Sequence, residues 1–195
     1  SQSVSSSLLR NSVIDMHAAL LLLLLSASTG IIRADCGFPN GTDATINWWQ
    51  GEGNANVTVS SLTTTDMKGN PEYPIQLTQT FLVKTVLTNN EALPWAGPSF
   101  VQSMRLWEYG GWSGCEWSEV PAFGAMTNLP ACDNGVPCPF PLGENAVTLT
   151  MDFSPFGAII SLLQNDAPYQ LQYILTDTNS NRSFSIYAQA RALTQ

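Results

Sequence analysis

In the stretch "PYQLQYILTDT", Tyr169, Leu171, Tyr173 and Leu175 occupy alternate positions, with Gln170 and Gln172 between them. A period of two puts the apolar set on one face of an extended strand and the polar set on the other. No other feature constrains the fold as much, because the pattern recurs along the chain. "NAVTLTMDF" aligns Val147, Leu149, Met151 and Phe153. "VQSMRLWEY" sets Met104 and Leu106 against Arg105, Trp107 and Tyr109. "IQLTQTFLVKTVL" aligns Ile75, Leu77, Phe81, Val83 and Leu87, with Gln79 and Thr85 as polar interruptions. "NVTVSSL" reads as a shorter strand, and "RSFSIYAQARAL" closes the chain with Phe184, Ile186 and Ala188 on one face. Turn-rich segments such as "GNPEYP" and "TNNEALPWAGPSF" lie between these runs. About seven half-buried strands, with no internal repeat and no long amphipathic helix, predict an all-β fold. The expected architecture is an antiparallel immunoglobulin-like sandwich or cup.

Not all of the chain is expected in that fold. Met16 is followed by "HAALLLLLLSASTGIIRA", an apolar run with small residues after it. That order is the h-region and c-region of a secretory signal peptide. The run is too short to cross a bilayer as a helix. The expected organisation is an upstream extension at 1–15, a signal peptide at 16–34, and one domain at 35–195. About 160 residues suffice for a single sizeable core, burying roughly 70% of the unfolded chain's surface. Three acceptor sequons, at Asn40, Asn56 and Asn181, fit an exported glycoprotein that is secreted or lysosomal.

Charge narrows the functions. Residues 35–195 hold five basic and fourteen acidic side chains, a net charge of −9. Phosphate backbones need a basic footprint, so nucleic acid is not an expected partner. Simple electrostatic adhesion to anionic membranes is disfavoured on the same ground. The one histidine, His17, falls in the signal region. A domain without histidine has no Ser-His-Asp or Cys-His catalysis and no histidine-ligated zinc. The best remaining carboxylate pair is Glu116 and Glu119 in "GCEWSEVP", which could serve as acid and nucleophile of a glycosidase. Two exposed charges beside a turn is the plainer reading, and no enzymatic activity, cofactor or metal is expected.

The four cysteines are Cys36, Cys115, Cys132 and Cys138. An even count in an exported chain implies disulfides, with three possible connectivities. The C-x5-C spacing of Cys132 and Cys138 matches neither a zinc knuckle nor a redox C-x-x-C. A local Cys132–Cys138 bridge would close a tight loop and leave Cys36–Cys115 as a long-range tie.

One segment departs from the strand pattern. "SPFGAIISLLQNDAPY" carries Phe156, Ile159, Ile160, Leu162 and Leu163 between two alternating strands. It is too apolar for a solvated loop. Either it packs on the core as a short helix or strand, or it is an apolar flap over a cavity or a membrane-dipping patch. Six tryptophans, Trp48, Trp49, Trp95, Trp107, Trp112 and Trp117, are a high count. Most should be core residues with a paired indole N–H. Trp95, between Pro94 and Gly97, is the best candidate for an exposed tip. Exposed tryptophans would also suit a carbohydrate-binding sandwich module.

The stretch from "SGCEW" through "PACDNGVPCPFPLGENAVTL" to "APYQLQYILTDTNSNRSFSIYAQARAL" resembles the ML (lipid-recognition) domain family, over roughly Trp48 to Leu193. It is most similar to the ganglioside G(M2) activator branch. Its C-x5-C-P element is also similar to the Niemann–Pick type C sterol-carrier branch. The resemblance implies eight antiparallel strands in two splayed sheets, with lipid tails between them. It implies a non-enzymatic protein that extracts a glycolipid or similar amphiphile, phospholipid or sterol included, after transient contact with the membrane surface; in the activator branch such a protein also presents glycolipid to a lysosomal glycosidase. The implied cavity lining comes from inward faces: Phe81, Val83, Met104, Leu106, Val147, Leu149, Met151, Phe153, Leu171 and Tyr173. Phe156, Ile159, Ile160, Leu162, Leu163 and Trp95 would guard its mouth. The chain departs from the activator pattern where a disulfide would join first and last strands, since the matching positions near Gln50 and at Ser185 are not cysteines.

Overall fold

A computed structural model describes residues 36–110 and 114–195. The expected upstream extension and signal peptide, with His17, and also Asp35 and Trp112, lie outside the described residues. The strands are β1 (Asn47–Gln50), β2 (Val57–Thr65), β3 (Ile75–Gln76), β4 (Phe81–Asn89), β5 (Phe100–Tyr109), β6 (Trp117–Glu119), β7 (Leu129–Pro130), β8 (Gly143–Met151), β9 (Ala167–Asp177) and β10 (Arg182–Leu193). Among the described residues, one short helix, α1 (Gly157–Ile160), follows β8 after a 3-10 turn. One sheet runs β1-β10-β9-β5-β6, with β3 beside β10 and β7 beside β5. The other runs β2-β4-β8. Alternate residues of both sheets fill a shared core, so the fold is the expected all-β sandwich. The ten strands among the described residues exceed the expected seven or eight because β3, β6 and β7 are two or three residues long.

The alternation across residues 75–87 spans a change of sheet. Residues 75–87 read as a single strand, yet the chain changes sheets inside them. Ile75 and Gln76 run parallel to Ala192 and Leu193 of β10, while Phe81 opens β4 opposite Met151 in the second sheet. Gln79 marks the break, its N–H donating to the Gln76 carbonyl at 3.2 Å. Leu77 stays buried through the turn. Period-two burial therefore persists where the hydrogen-bond ladder does not. The second interruption, Thr85, is a true core position: it is 4% exposed, and its hydroxyl donates to the Ser61 carbonyl at 2.7 Å. A buried hydroxyl with a partner escapes the desolvation penalty of an unpaired one.

The cysteines form Cys36–Cys115 and Cys132–Cys138 bridges. The short loop between Cys132 and Cys138 joins the two sheets. Ala131 N–H donates to Phe100 of β5 at 3.0 Å, and Thr150 N–H of β8 donates to Gly135 at 2.9 Å. Gly135 sits at φ +91°, and a Cβ there would lie 1.9 Å from the Thr150 carbonyl oxygen, so only glycine fits. The prolines after this loop deliver Phe140 into the core, where it is fully buried. Where the first and last long strands meet, hydrogen bonds stand in place of a bridge: Gly51 N–H to the Ser185 carbonyl at 2.8 Å, and Ser185 Oγ to the Glu52 carbonyl at 2.9 Å.

The two ends of the sandwich are filled differently. At one end, Trp95 lies 5.6 Å from Phe100, 6.1 Å from Phe140 and 6.1 Å from Phe184 between ring centroids. Phe140 also contacts Phe100 and Phe184. Trp95 is 3% exposed, so the expected exposed tip and mouth guard is instead a core residue at this end. Its turn is pinned by Phe140 N–H donating to the Trp95 carbonyl at 2.7 Å, which drops the indole among the phenylalanines. At the other end, the inward face of β10 shrinks from Phe184 and Ile186 to Ala188, Ala190 and Ala192. Register places Ala188 opposite Leu171 and Ala190 opposite Tyr169. Three methyl groups cannot fill the width between two sheets about 10 Å apart.

Candidate functional site

A cavity opens where those alanines leave space. About 100 Å³ of it is open to the centres of water-sized molecules. Its sheet walls come from Leu62 of β2, Phe81 and Val83 of β4, Leu149 and Met151 of β8, Leu106 of β5, and Tyr169, Leu171 and Tyr173 of β9. β10 contributes Ile186 and its three alanines. Phe153, Met126 and Ile160 close it from the connecting segments, and Ile46, Ile75 and Leu77 from the β1 and β3 side.

No charged residue lines this space, and its polar groups are already engaged. Thr64 Oγ1 donates to the Glu72 carbonyl at 2.8 Å, Tyr169 OH to the Gln164 carbonyl at 2.7 Å, and Tyr173 OH to Gln102 Oε1 at 2.5 Å. Burial holds the Tyr173 phenol well above its usual pKa, so it stays a neutral donor. A water needs two to four polar partners to settle in a cavity, and the three hydroxyls of this lining have already given their protons to other protein groups. What fits such a space is apolar.

Of the residues expected to line a cavity, Phe81, Val83, Leu106, Leu149, Met151, Phe153, Leu171 and Tyr173 do so. Two expected lining residues do not. Val147 is buried deeper, opposite Thr85, and Met104 faces a groove on the side of the sandwich. In the segment after β8, Ile160 reaches the cavity, while Phe156 packs against Phe153 with centroids 6.5 Å apart. Leu163 is buried, Ile159 half-buried, and Leu162 is 84% exposed. The segment is thus a short core-packed helix with one apolar side chain turned outward. The three alanines of β10 could have been read from "IYAQARAL" as alternate small residues. Met126 could not, because its loop has no period. That loop repeats the arrangement at the helix: Met126 points in, and Phe123, 93% exposed, points out.

The alternative sites look different. Glu119 receives two hydrogen bonds from Arg105, at 2.8 and 2.6 Å, and this pairing lowers its pKa below the ordinary carboxylate range. Glu116 is exposed beside Cys115. Neither carboxylate lines the cavity. On the outer face of the larger sheet, Trp49 stacks on Tyr187 at 5.1 Å and 7°, and Arg105 covers the Trp107 ring at 4.9 Å. One face of each ring is covered by its neighbour, while Trp49 remains 38% exposed. The sequon residues Asn40, Asn56 and Asn181 are all exposed. Among the described residues, no cluster of three or more His, Cys, Asp or Glu side chains could hold a metal ion.

No protein-family model and no curated protein matches the chain. Among solved structures, the chain is similar to a Niemann–Pick type C2 protein from the Japanese carpenter ant. The identity is 9% and the TM-score 0.41, over 75% of this chain and 98% of that one.

Proposed function

We propose that this protein binds lipid of the ML kind, taking the apolar tail of an amphiphile into the hollow end of its sandwich. The observation that carries this reading is the cavity lining, in which every polar group is already paired and no charge is present. Each CH₂ transferred from water contributes about 0.8 kcal/mol. A tail of a dozen carbons therefore offsets a large part of leaving a bilayer. The cavity must widen to take such a tail. Met126, Met151 and Ile160 are suited to move, since methionine has three rotatable bonds and α1 is a single turn. Phe123 and Leu162 are exposed apolar side chains on the two segments that close the cavity, and would contact the membrane transiently during exchange.

The ligand is a glycolipid, phospholipid or sterol, and presentation of a glycolipid to a lysosomal glycosidase would follow from extraction. Two disulfides and three exposed sequons support work in the secretory path, outside the cell or in lysosomes. The test is extraction: protein made in eukaryotic cells is incubated with mixed-lipid vesicles, separated, and weighed by native mass spectrometry. A lipid adduct of one-to-one stoichiometry is expected. Protein that emerges without lipid at neutral and acidic pH would sink the reading.

A further inference from the structure

An antiparallel sheet packed on one side normally shows polar residues on the other. The larger sheet departs from that rule. Trp49 of β1, Tyr187 of β10 and Trp107 of β5 all point outward, with Tyr187 5.1 Å from Trp49 and 6.2 Å from Trp107 between ring centroids. Trp49 is 38% exposed. On the same face, Gln172 of β9 stands directly between Tyr187 and Arg105 in register. Its Oε1 is buried and has no donor among the described residues. Buried acceptors without a donor are uncommon, and each calls for an explanation.

The segment before β1 leads to this patch. The guanidinium of Arg191 lies 5.2 Å from the Phe38 ring centroid, and Asn40 Nδ2 donates to Gln189 Oε1 at 2.7 Å. Arg191, Gln189 and Tyr187 are successive outward positions of β10, about 7 Å apart. The segment therefore runs along β10 toward Tyr187. It reverses at Asn40 (φ 54°) and Gly41 (φ 76°), where Thr42 N–H donates to the Pro39 carbonyl at 3.0 Å. Tyr73 OH ties Thr42 back to the level of Arg191, donating to the Thr42 carbonyl and accepting the Arg191 N–H at 2.9 Å. Asn40 is thus the exposed tip of a turn aimed at Tyr187 and Trp49, and it opens the sequon Asn40-Gly41-Thr42.

We propose that Asn40 carries an N-linked glycan whose first sugars lie on the patch of Trp49, Tyr187 and Trp107. The outer face is then a seat for the chain's own glycan. This goes beyond the lipid reading and rests only on passage through the secretory path. In the attachment, Nδ2 bonds to the anomeric carbon of an oligosaccharide carried on a lipid diphosphate. The bond from that carbon to the phosphate oxygen breaks, the lipid diphosphate leaves, and Nδ2 gives up one of its two protons. The proton it keeps still donates to Gln189, so the first sugar starts about 7 Å from the Tyr187 position. One face of a pyranose is made of C–H bonds and packs on an indole as an aliphatic side chain does. Its hydroxyls and acetamido N–H are donors of the kind that Gln172 Oε1 lacks. The other two sequons have no such neighbour. Asn56 precedes β2 and Asn181 lies in the β9–β10 turn, both at the aromatic-packed end.

The test uses protein secreted from eukaryotic cells in three forms: fully glycosylated, trimmed by endoglycosidase to one N-acetylglucosamine per site, and made with glycosylation inhibited. Hydroxyl-radical footprinting with peptide mass spectrometry reads each tryptophan. Asn40 should be occupied, and Trp49 should oxidise at least threefold more slowly in both sugar-bearing forms than in the bare one. Asn56→Gln/Asn181→Gln should leave that protection intact. If the bare chain fails to fold, Trp49→Ala in the glycosylated protein decides. It should speed release of the Asn40 glycan by peptide-N-glycosidase at least threefold and leave release from Asn56 and Asn181 unchanged. A bare Asn40, equal oxidation of Trp49 in all folded forms, protection that tracks Asn56 or Asn181, or an Asn40 release rate unmoved by Trp49→Ala overturns the proposal. Protection that appears only when free chitobiose is added reassigns the face to an outside sugar and also overturns it. A chain retained in the cytosol with no sequon occupied overturns the secretory reading as well.

Discussion

The two ends of this sandwich have the same backbone and opposite interiors. At one end, Trp95, Phe100, Phe140 and Phe184 pack ring against ring. At the other, Ala188, Ala190 and Ala192 face across to β4 and β8 and leave a cavity. Strand pairing runs unbroken through both, since β9 and β10 pair from Arg182–Asp177 to Ala192–Ala167. The sheets therefore do not need the hollow end filled in order to stay paired. The aromatic end holds them together, and the alanine end is left free for a guest.

Replacing the aromatic anchor gives the largest effect. Trp95→Ala should cost about 3–5 kcal/mol of stability, as buried aromatic truncations do, measured by urea denaturation. An equal loss of stability from truncating Leu171 at the hollow end would erase the contrast.

One substitution placed at both ends sharpens it. Ala131 is fully buried in the packed region, beside Phe100, so Ala131→Leu should overpack and cost about 1–3 kcal/mol. Ala190→Leu projects into the cavity and should change stability by less than about 1 kcal/mol. The same variant should reduce lipid capture at least tenfold, because the added carbons occupy the tail's place. Thermal melts and vesicle extraction read the two quantities separately.

The outward apolar pair predicts a kinetic effect. Phe123→Asp with Leu162→Asp should leave stability within about 0.5 kcal/mol, since both side chains are exposed. The rate of lipid transfer from vesicles should fall while affinity for a soluble short-chain analogue holds.

The smallest effect concerns pH. Arg191 holds Asp166 through hydrogen bonds of 2.5 and 2.8 Å, and this pairing lowers the Asp166 pKa below the usual carboxylate range. A lowered folded-state pKa stabilises above the unfolded value of about 4, and that contribution is lost as pH falls through the folded value. The pair is exposed to solvent, so its contribution should be small and screened by salt. It ties the segment after α1 to β10. Hydrogen exchange in residues 161–166 should therefore quicken below pH 4, and Asp166→Asn should remove that pH step.

The sequence disclosed the strands because alternation is local and records burial directly. Val147 to Phe153, Tyr169 to Leu175 and Phe184 to Ala188 all point inward as the pattern requires. It could not disclose the sheet change at residues 77–80, because Leu77 is buried on either side of it. Most of the cavity wall was legible on the strands, whereas Met126 and Phe123 sit in an aperiodic loop. Trp95 was misplaced because Pro94 and Gly97 describe the turn, while a hydrogen bond from Phe140, over forty residues on, decides which way the turn faces. The hollow end was visible only in part, since three alternate alanines become a cavity only when their partners across the sandwich are known.

The central claim is that a lipid tail lies at the alanine end. A lipid carrying a diazirine near its tail terminus, loaded from vesicles and photolysed, tests it directly. Peptide mapping should place the crosslinks on Leu106, Leu149, Tyr169 and the alanines of β10. Crosslinks on Trp95, Phe140 and Phe184, on the outer face at Trp49 and Tyr187, or nowhere would contradict it.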